Sequence, residues 1–418
     1  MNGSRLSLLL GVLLLAGGSA DAELPLVGED QLLTGLPAAE FHAARLALDE
    51  DTLIIGASEG EALGTDSGGL WVAERDAAGI WGVPTLITPS TAGLTFLGGE
   101  VALSGDTAAA WALDGSAARV LLFERDLGGT DNWGESTSIA APAGGSLFGR
   151  DLFLDGDVLF VGERSVALHV YERDLGGAGN WGLLQAITPP VPEGVVDGWA
   201  GDFQAQGSEV FISNPVENGL AGALYQFERA ASGSTPWSFV QKLPTPPGAL
   251  LYGTDLSWYG DELAVLGYVD VSILGRDVGG TNQWGLIQDV TPSVPPLDEL
   301  TNGPIELDDG IIVISQLGYP EPSGSSSRSF VWRRDATGVW VETEKILPGG
   351  VGLADSGFGS SLAIGGGQII AAAPGEFGLI PGNVYVFDIV PRLPALPALG
   401  IGALVAGVGG LALRRLCA

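Results

Sequence analysis

From about residue 41 to residue 388, apolar residues come in short runs separated by glycine, aspartate and proline. No long stretch carries the 3.6-residue period of an amphipathic helix. Apolar runs of this length, bounded by turn residues, predict strands, so the chain reads as all-β. The runs also recur in a fixed order. The segment from Phe148, FGRDLFLDGDVLFVGERSVALHVYERDLGGAGNWGLLQAITPP, lines up from end to end with the segment from Phe96. Related units begin near Phe41, Trp199, Tyr252, Thr301 and Phe358, and the seven starts lie 55, 52, 51, 53, 49 and 57 residues apart. Recurrence at this period predicts a repeat architecture with one supersecondary unit per repeat.

Each unit predicts four strands. The first follows the unit start, as in Asp151–Asp155. Tight turns come next: Ser104-Gly105-Asp106, Asp155-Gly156-Asp157 and Tyr259-Gly260-Asp261. Glycine and aspartate there supply the positive φ that short hairpins need. A small apolar second strand follows, as in Leu53–Ala57 and Ile369–Ala373, then a third ending in Glu-Arg-Asp or a variant. A glycine-containing turn leads to a tryptophan and the fourth strand. Trp81 and Trp340 lie five residues after Asp76 and Asp335. Trp133, Trp181 and Trp284 lie seven after Asp126, Asp174 and Asp277, and Trp237 lies seven after Ala230, in the same slot. The turns differ by two residues and never by one. Strand side chains alternate faces, so a change of two keeps the tryptophan on one side.

Three residues before that slot stands an apolar column: Ala73, Phe123, Tyr171, Phe227, Leu274, Trp332 and Phe387. The preceding position is apolar too, apart from Gln226. A two-sheet sandwich would wet one face of such a strand. Stacking around an axis buries both, which predicts a seven-bladed β-propeller. The seventh unit ends at Phe387-Asp388 without a tryptophan or fourth strand. Gly28–Pro37 resembles the fourth-strand segment Gly285–Pro292, so the first strand of the chain is expected to complete the last blade and close the ring.

The ends read differently. Met1–Ala22 has Arg5, an apolar run Leu6–Ala16 and the small-x-small pair Ala20 and Ala22, the pattern of a secretory signal cut by signal peptidase. Residues 23–390 form the expected propeller and 391–397 a proline-rich linker. Residues 398–418 hold an apolar segment followed by Arg414 and Arg415, with glycines throughout. An apolar stretch of this length is near the lower limit for a spanning helix, and the arginine pair would keep the C-terminus cytoplasmic. The order of prolines, apolar helix and basic end resembles the sorting tails of exosortase (PEP-CTERM-like) and related transpeptidase substrates, though Pro-Glu-Pro is absent. A plain tail anchor is the alternative.

Composition narrows the partners. The formal charge is −32, or −34 without the two targeting ends. Such a body repels nucleic acid and anionic membrane surfaces. The single cysteine, Cys417, lies in the tail, which leaves no disulfide or cysteine metal site in the body.

Phe148-Gly149, Phe358-Gly359, Ala372-Ala373-Pro374-Gly375 and Val384-Tyr385-Val386-Phe387 resemble FG-GAP repeats, whose best-known members are integrin α-subunit heads. The resemblance covers Phe41–Asp388 and implies a seven-bladed propeller used in adhesion or ligand binding. The family's calcium loop does not carry over. Asp49-Glu50-Asp51, Asp155-Gly156-Asp157 and Asp308-Asp309-Gly310 are too short and read as turns. His42 and His169 read as structural. The recurring Arg75, Arg125, Arg173, Arg229, Arg276 and Arg334 are expected to pair with acidic neighbours or cover aromatic rings. No nucleotide loop, nucleophile elbow or paired-histidine motif is present, so no cofactor, metal or catalytic residue is assigned.

These features predict an exported, envelope-anchored module that binds a protein or glycan, or acts as a scaffold, without catalysis. Loops Gly318–Ser329, Glu59–Gly68 and Asn214–Gly222 are its candidate contact surfaces. The alternatives are a propeller enzyme, signalled by acidic, histidine or tyrosine residues of different units meeting near the axis, and a structural coat protein.

Overall fold

The computed structural model describes residues 27–33, 36, 44–142, 147–190, 196–230, 235–268, 270–293, 303–317, 327–347, 357–374 and 382–389. The segment expected to be a secretory signal, His42, the expected tail and most of the Gly318–Ser329 loop lie outside them. Among the described residues, no helix is long and apolar enough to cross a membrane.

The strands form seven antiparallel sheets. Six of them are single repeat units read in chain order. The seventh has the order Val27–Leu33, Asn383–Ile389, Gln368–Ala373, Ser361–Gly365. The first strand of the chain thus completes the last blade, as its likeness to Gly285–Pro292 predicts. Gln31 shows that the register is right. Trp81 N–H donates to Gln31 Oε1 at 2.9 Å, and Gln31 Nε2 donates to Trp81 O at 2.7 Å. Gln288, its counterpart by sequence, makes the same pair of bonds to Trp340 in the next blade, at 2.9 and 2.8 Å. Gln185 does likewise with Trp237, at 2.6 and 3.0 Å. One blade departs from four strands. Leu94–Thr95 pairs with the far end of Thr107–Asp114 and adds a fifth strand to the second blade.

The innermost strands are Ala44–Asp49, Val101–Ser104, Phe148–Asp155, Phe203–Gln206, Asp255–Tyr259, Ile305–Asp308 and Ser361–Gly365. Each lies beside the next, and the last lies beside the first, so they close a ring around an axis. The central strands are buried on both faces. Val158–Glu163 and Gln368–Ala373 are buried at every residue, which is the pattern of sheets stacked between neighbours. The apolar column Ala73, Phe123, Tyr171, Phe227, Leu274, Trp332 and Phe387 is buried throughout. Gln226, its polar neighbour, is also buried and bonds Glu209 and Glu228, each at 3.0 Å. The hairpin turns behave as turns. Gly156 has φ 57° and Glu50 φ 50°, and their acids bind protein groups, with Asp51 on Arg75 and Asp157 on Arg173.

Six tryptophans, Trp81, Trp133, Trp181, Trp237, Trp284 and Trp340, are buried between blades. Each lies under the arginine of its own blade, with guanidinium-to-ring distances of 5.5, 5.1, 4.9, 5.0, 4.9 and 4.7 Å. Arg75, Arg173 and Arg334 stand directly across the hairpin from Trp81, Trp181 and Trp340, for the five-residue and the seven-residue turns alike. The same arginines reach the preceding blade, Arg75 at Gln368 and the other five at an acid. Arg125 reaches Glu74 and Arg173 reaches Glu124, both at 2.7 Å, Arg229 pairs with Glu172, and Arg276 with Glu209. Glu74, Glu124 and Glu172 lie on third strands, whereas Glu209 starts a second strand, and in the next seam Glu262, again on the second strand and opposite Gly275, is the partner of Arg334. The repeated arginines are therefore seam clamps.

Candidate functional site

An inner strand pairs on one side only, with the second strand of its own blade. Its other edge carries backbone N–H groups that need acceptors. The sequence provides them from the neighbouring blade. Leu256 N–H donates to Asp202 Oδ2 at 2.5 Å, and Ile305 N–H donates to Asp255 Oδ2 at 2.8 Å. Leu307 N–H donates to Ser257 Oγ at 2.8 Å, and Leu46 N–H to Ser361 Oγ at 3.0 Å. Polar side chains are thereby drawn to the axis on strands that are otherwise apolar.

One register position recurs. Arg45, Asp255 and Ser361 stand opposite Gly56, Leu266 and Ala372 of their second strands. Trp111, Ser213 and Ser315 N–H groups donate to the carbonyls of Glu100, Asp202 and Pro304. With Asp151, the column runs Arg45, Glu100, Asp151, Asp202, Asp255, Pro304, Ser361. Four consecutive blades thus present a carboxyl at the same height. Glu306 stands two residues beyond Pro304 on the same strand. A cavity of about 650 Å³ lies at this level, lined by Arg45, Glu100, Asp151, Arg164, Asp202, Asp255 and Glu306.

The two guanidiniums do not neutralise five acids. Arg45 Nε binds Glu100 Oε2 at 3.1 Å, yet burial still raises the Glu100 carboxyl. Burial, with the Glu100 charge second, pushes Asp151 up to about 7. Burial and then the Asp255 charge push Glu306 up to about 8, although Ser257 Oγ donates to it at 3.3 Å. Asp202 is raised well above the ordinary aspartate value by burial, then by Asp255 and Asp151. Asp255 is raised to about 6 by burial, restrained by the N–H groups of Ile305 and Leu256. Charge withdrawn from water and crowded by like charge is held partly protonated. Near neutral pH the wall therefore offers both O–H donors and carboxylate acceptors, with two fixed cations.

Sequence reasoning passed over these residues. It named acids of different units meeting near the axis as the sign of channel chemistry, but not which acids. Asp151, Asp202 and Asp255 are 51 and 53 residues apart, the repeat spacing itself, and that was the available signal. His169 does not line the cavity. It lies inside the third blade, where Nε2 is 2.8 Å from Glu163 Oε2, with both side chains buried. In the Asn214–Gly222 loop, Glu217 is buried and bonds Tyr225 Oη at 2.7 Å, Lys242 Nζ and Asn214 Nδ2 at 3.3 Å. That loop is fixed in place by its own polar core. Among the described residues no group of His, Cys, Asp and Glu is arranged to hold a metal ion.

Fold and cavity together define a seven-bladed β-propeller with a polar, carboxyl-rich axial site. No family model and no curated protein matches the chain. Among solved structures it is similar to the β-propeller domain of Myceliophteria thermophila Cps50 (Swd1), at 11% identity and TM-score 0.55, covering 87% of this chain and 99% of that one. It is also similar to the WD40 propeller domain of Doa1, at 11% identity and TM-score 0.53, covering 87% and 97%. At these identities the likeness is one of fold. The periplasmic gluconolactonase PpgL of Pseudomonas aeruginosa, at 14% identity and TM-score 0.48, covering 73% and 85%, is too distant to bear on function.

Proposed function

We propose that the chain is an exported, envelope-displayed FG-GAP-like propeller that binds a polar ligand, a glycan end or a hydroxyl-rich protein segment, in the axial cavity. One observation carries this reading: Arg45, Arg164, Glu100, Asp151, Asp202, Asp255 and Glu306 surround a single cavity of about 650 Å³. That volume falls within the usual range for small-ligand sites, about 300–1,000 Å³. Carboxyls poised between two protonation states both donate to and accept from ligand hydroxyls. The two arginines fix orientation. The repeated arginines and tryptophans elsewhere are engaged in the seams. A glycan array probed with the full chain at pH 6–7 is expected to give saturable binding that Asp151→Asn weakens. Flat isotherms across the array, and across an array of serine- and threonine-rich peptides, would refute the axial reading.

Display at the envelope is supported by the secretory pattern ending at Ala22 and by the tail with Arg414 and Arg415. Signal peptidase removes residues 1–22, and the apolar tail holds the body at the membrane, at least until an exosortase-like enzyme acts. Intact mass of the exported protein checks both ends. A mass that retains residues 1–22 would remove this part.

A second reading has its own observation. Asp255 and Glu306, on adjacent inner strands, are raised to about 6 and about 8, with Asp255 a cause of the Glu306 shift. Environments that separate two carboxyls in this way assign a base and an acid. An extracellular lyase or hydrolase would then show a rate bell between these limits. Glu306→Gln would abolish its alkaline limb along with turnover.

A further inference from the structure

The seam clamps repeat closely enough that a break in them has meaning. In five of the six clamps the arginine N–H bonds the carbonyl of one residue in the first hairpin turn: Asp51, Asp106, Asp157, Ser208 and Asp261 for Arg75, Arg125, Arg173, Arg229 and Arg276; the sixth, Arg334, has Gly310 in that slot and keeps Glu262. Four of these residues are aspartates, and their Oδ1 accepts from the arginine Nε at 2.8, 2.6, 2.7 and 3.0 Å. The fourth blade has Ser208 instead, and among the described residues Arg229 Nε has no such acceptor. A second partner starts the second strand of the preceding blade: Gln368 for Arg75, Thr52 for Arg125, Thr107 for Arg173, Glu209 for Arg276 and Glu262 for Arg334. The residue in that slot facing Arg229 is Val158, which has nothing to offer. The aspartate that elsewhere follows the arginine is Ala230 here.

Two departures, Ser208 and Val158, therefore converge on one side chain, while Ala230 removes a carboxylate that elsewhere accepts from N–H groups of its own turn, as Asp126 and Asp174 do. Arg229 keeps Glu172 on Nη1 and Trp237 beneath its plane. Among the described residues its Nε and Nη2 have no hydrogen-bond partner. A cavity of about 660 Å³ opens at this seam, and Val158, Ser208, Arg229 and Ala230 all line it. The gap stands where four other blades hold an aspartate carboxylate.

We infer that this notch binds a monocarboxylate, which supplies from outside the acid that the fourth blade lacks. A planar guanidinium edge with two adjacent N–H donors is matched by a carboxylate, with two parallel bonds. Asp155, Asp157 and Glu172 also line the walls, and their charge disfavours a dianion such as phosphate or sulfate. Val158 and Ala230 suit a short apolar body behind the carboxylate.

The test uses the full chain labelled with ¹⁵N-arginine, titrated with sodium acetate against sodium chloride at equal ionic strength, pH 7. One Nε–H resonance, absent in Arg229→Gln, is expected to shift saturably with acetate and not with acetamide. Ser208→Asp restores the internal carboxylate. It is expected to place that resonance near its acetate-bound position, to raise Tm, and to weaken acetate binding by at least about tenfold. Val158→Thr, which returns one donor partner, is expected to weaken it less. An unresponsive wild type, or a Ser208→Asp variant that titrates like wild type, would overturn the inference. Should Arg229→Gln not fold, the Ser208→Asp comparison still identifies the resonance.

Discussion

A single carboxyl shows how a propeller axis is held together and what it costs. Asp151 lines the cavity, and burial, then the charge of Glu100, with Arg164 in opposition, raise its carboxyl to about 7. Glu306 is raised to about 8. In an unfolded chain these groups ionise near 4. Between about pH 4 and pH 8 the folded protein therefore binds more protons than the unfolded one, and stability falls as pH rises. Below pH 4 both states are protonated and the slope from these groups vanishes. Urea unfolding is expected to give a lower midpoint at pH 8 than at pH 5. Asp151→Asn and Glu306→Gln are each expected to reduce that difference and to be more stable than wild type at pH 8. The gain is at most a few kcal/mol, since one pKa unit corresponds to about 1.4 kcal/mol. A midpoint flat from pH 5 to pH 8 would show that the axial acids ionise freely.

The outer hairpin is the element in which sequence and structure correspond most directly. Aspartate-to-tryptophan spacings of five and seven predict one tryptophan layer, and Trp81 and Trp181 both stand across from their arginines. Removing two residues from the Leu127–Asn132 turn should shorten it toward the tight form of the first blade and keep Trp133 under Arg125. Removing one should turn Trp133 to the opposite face. The one-residue deletion is therefore expected to be the more damaging, by roughly the 3–5 kcal/mol of losing a buried tryptophan, read as a lower Tm. The strands, the blade count and the closing strand were legible for the same reason: burial on both faces writes itself into every repeat. The axial site was not. Glu100, Asp151, Asp202 and Asp255 follow unit starts that differ from one another, Leu97-Gly98-Gly99, Phe148-Gly149-Arg150, Trp199-Ala200-Gly201 and Tyr252-Gly253-Thr254. A lone acid at the head of a strand looks like any solvated residue until the ring brings four together. Arg229 escaped for the opposite reason. Its column was visible, but the loss of its partners lies at Ser208, in a hairpin turn of its own blade, and at Val158, on a strand of the preceding blade.

At the scale of the whole molecule, stability depends on a ring closed at one seam by the two ends of the body. Blade seven draws three strands from the C-terminal unit and one, Val27–Leu33, from the N-terminus. Several kinds of bond cross from that blade to the first: the Gln31 clamp on Trp81, Arg75 on Gln368, Trp81 Nε1 on Gln368 Oε1 at 2.8 Å, and Leu46 on Ser361. Deleting residues 27–33 removes the Gln31 clamp and leaves Asn383–Ile389 as an unpaired edge, which invites pairing with other chains. A circular permutant that carries residues 27–33 directly after the Asn383–Ile389 strand, through a short turn, keeps the four-stranded sheet and every one of those bonds. It breaks only the covalent path between the last blade and the first. If noncovalent sheet completion is what seals the ring, the permutant should stay monomeric with a Tm near wild type, and the deletion should aggregate or melt well below it. If chain continuity across the seam is what matters, the permutant should fail as badly as the deletion. Gln31→Ala separates the clamp from the strand. It removes two part-buried hydrogen bonds, and a loss of about 1–3 kcal/mol is expected, with the sheet otherwise intact.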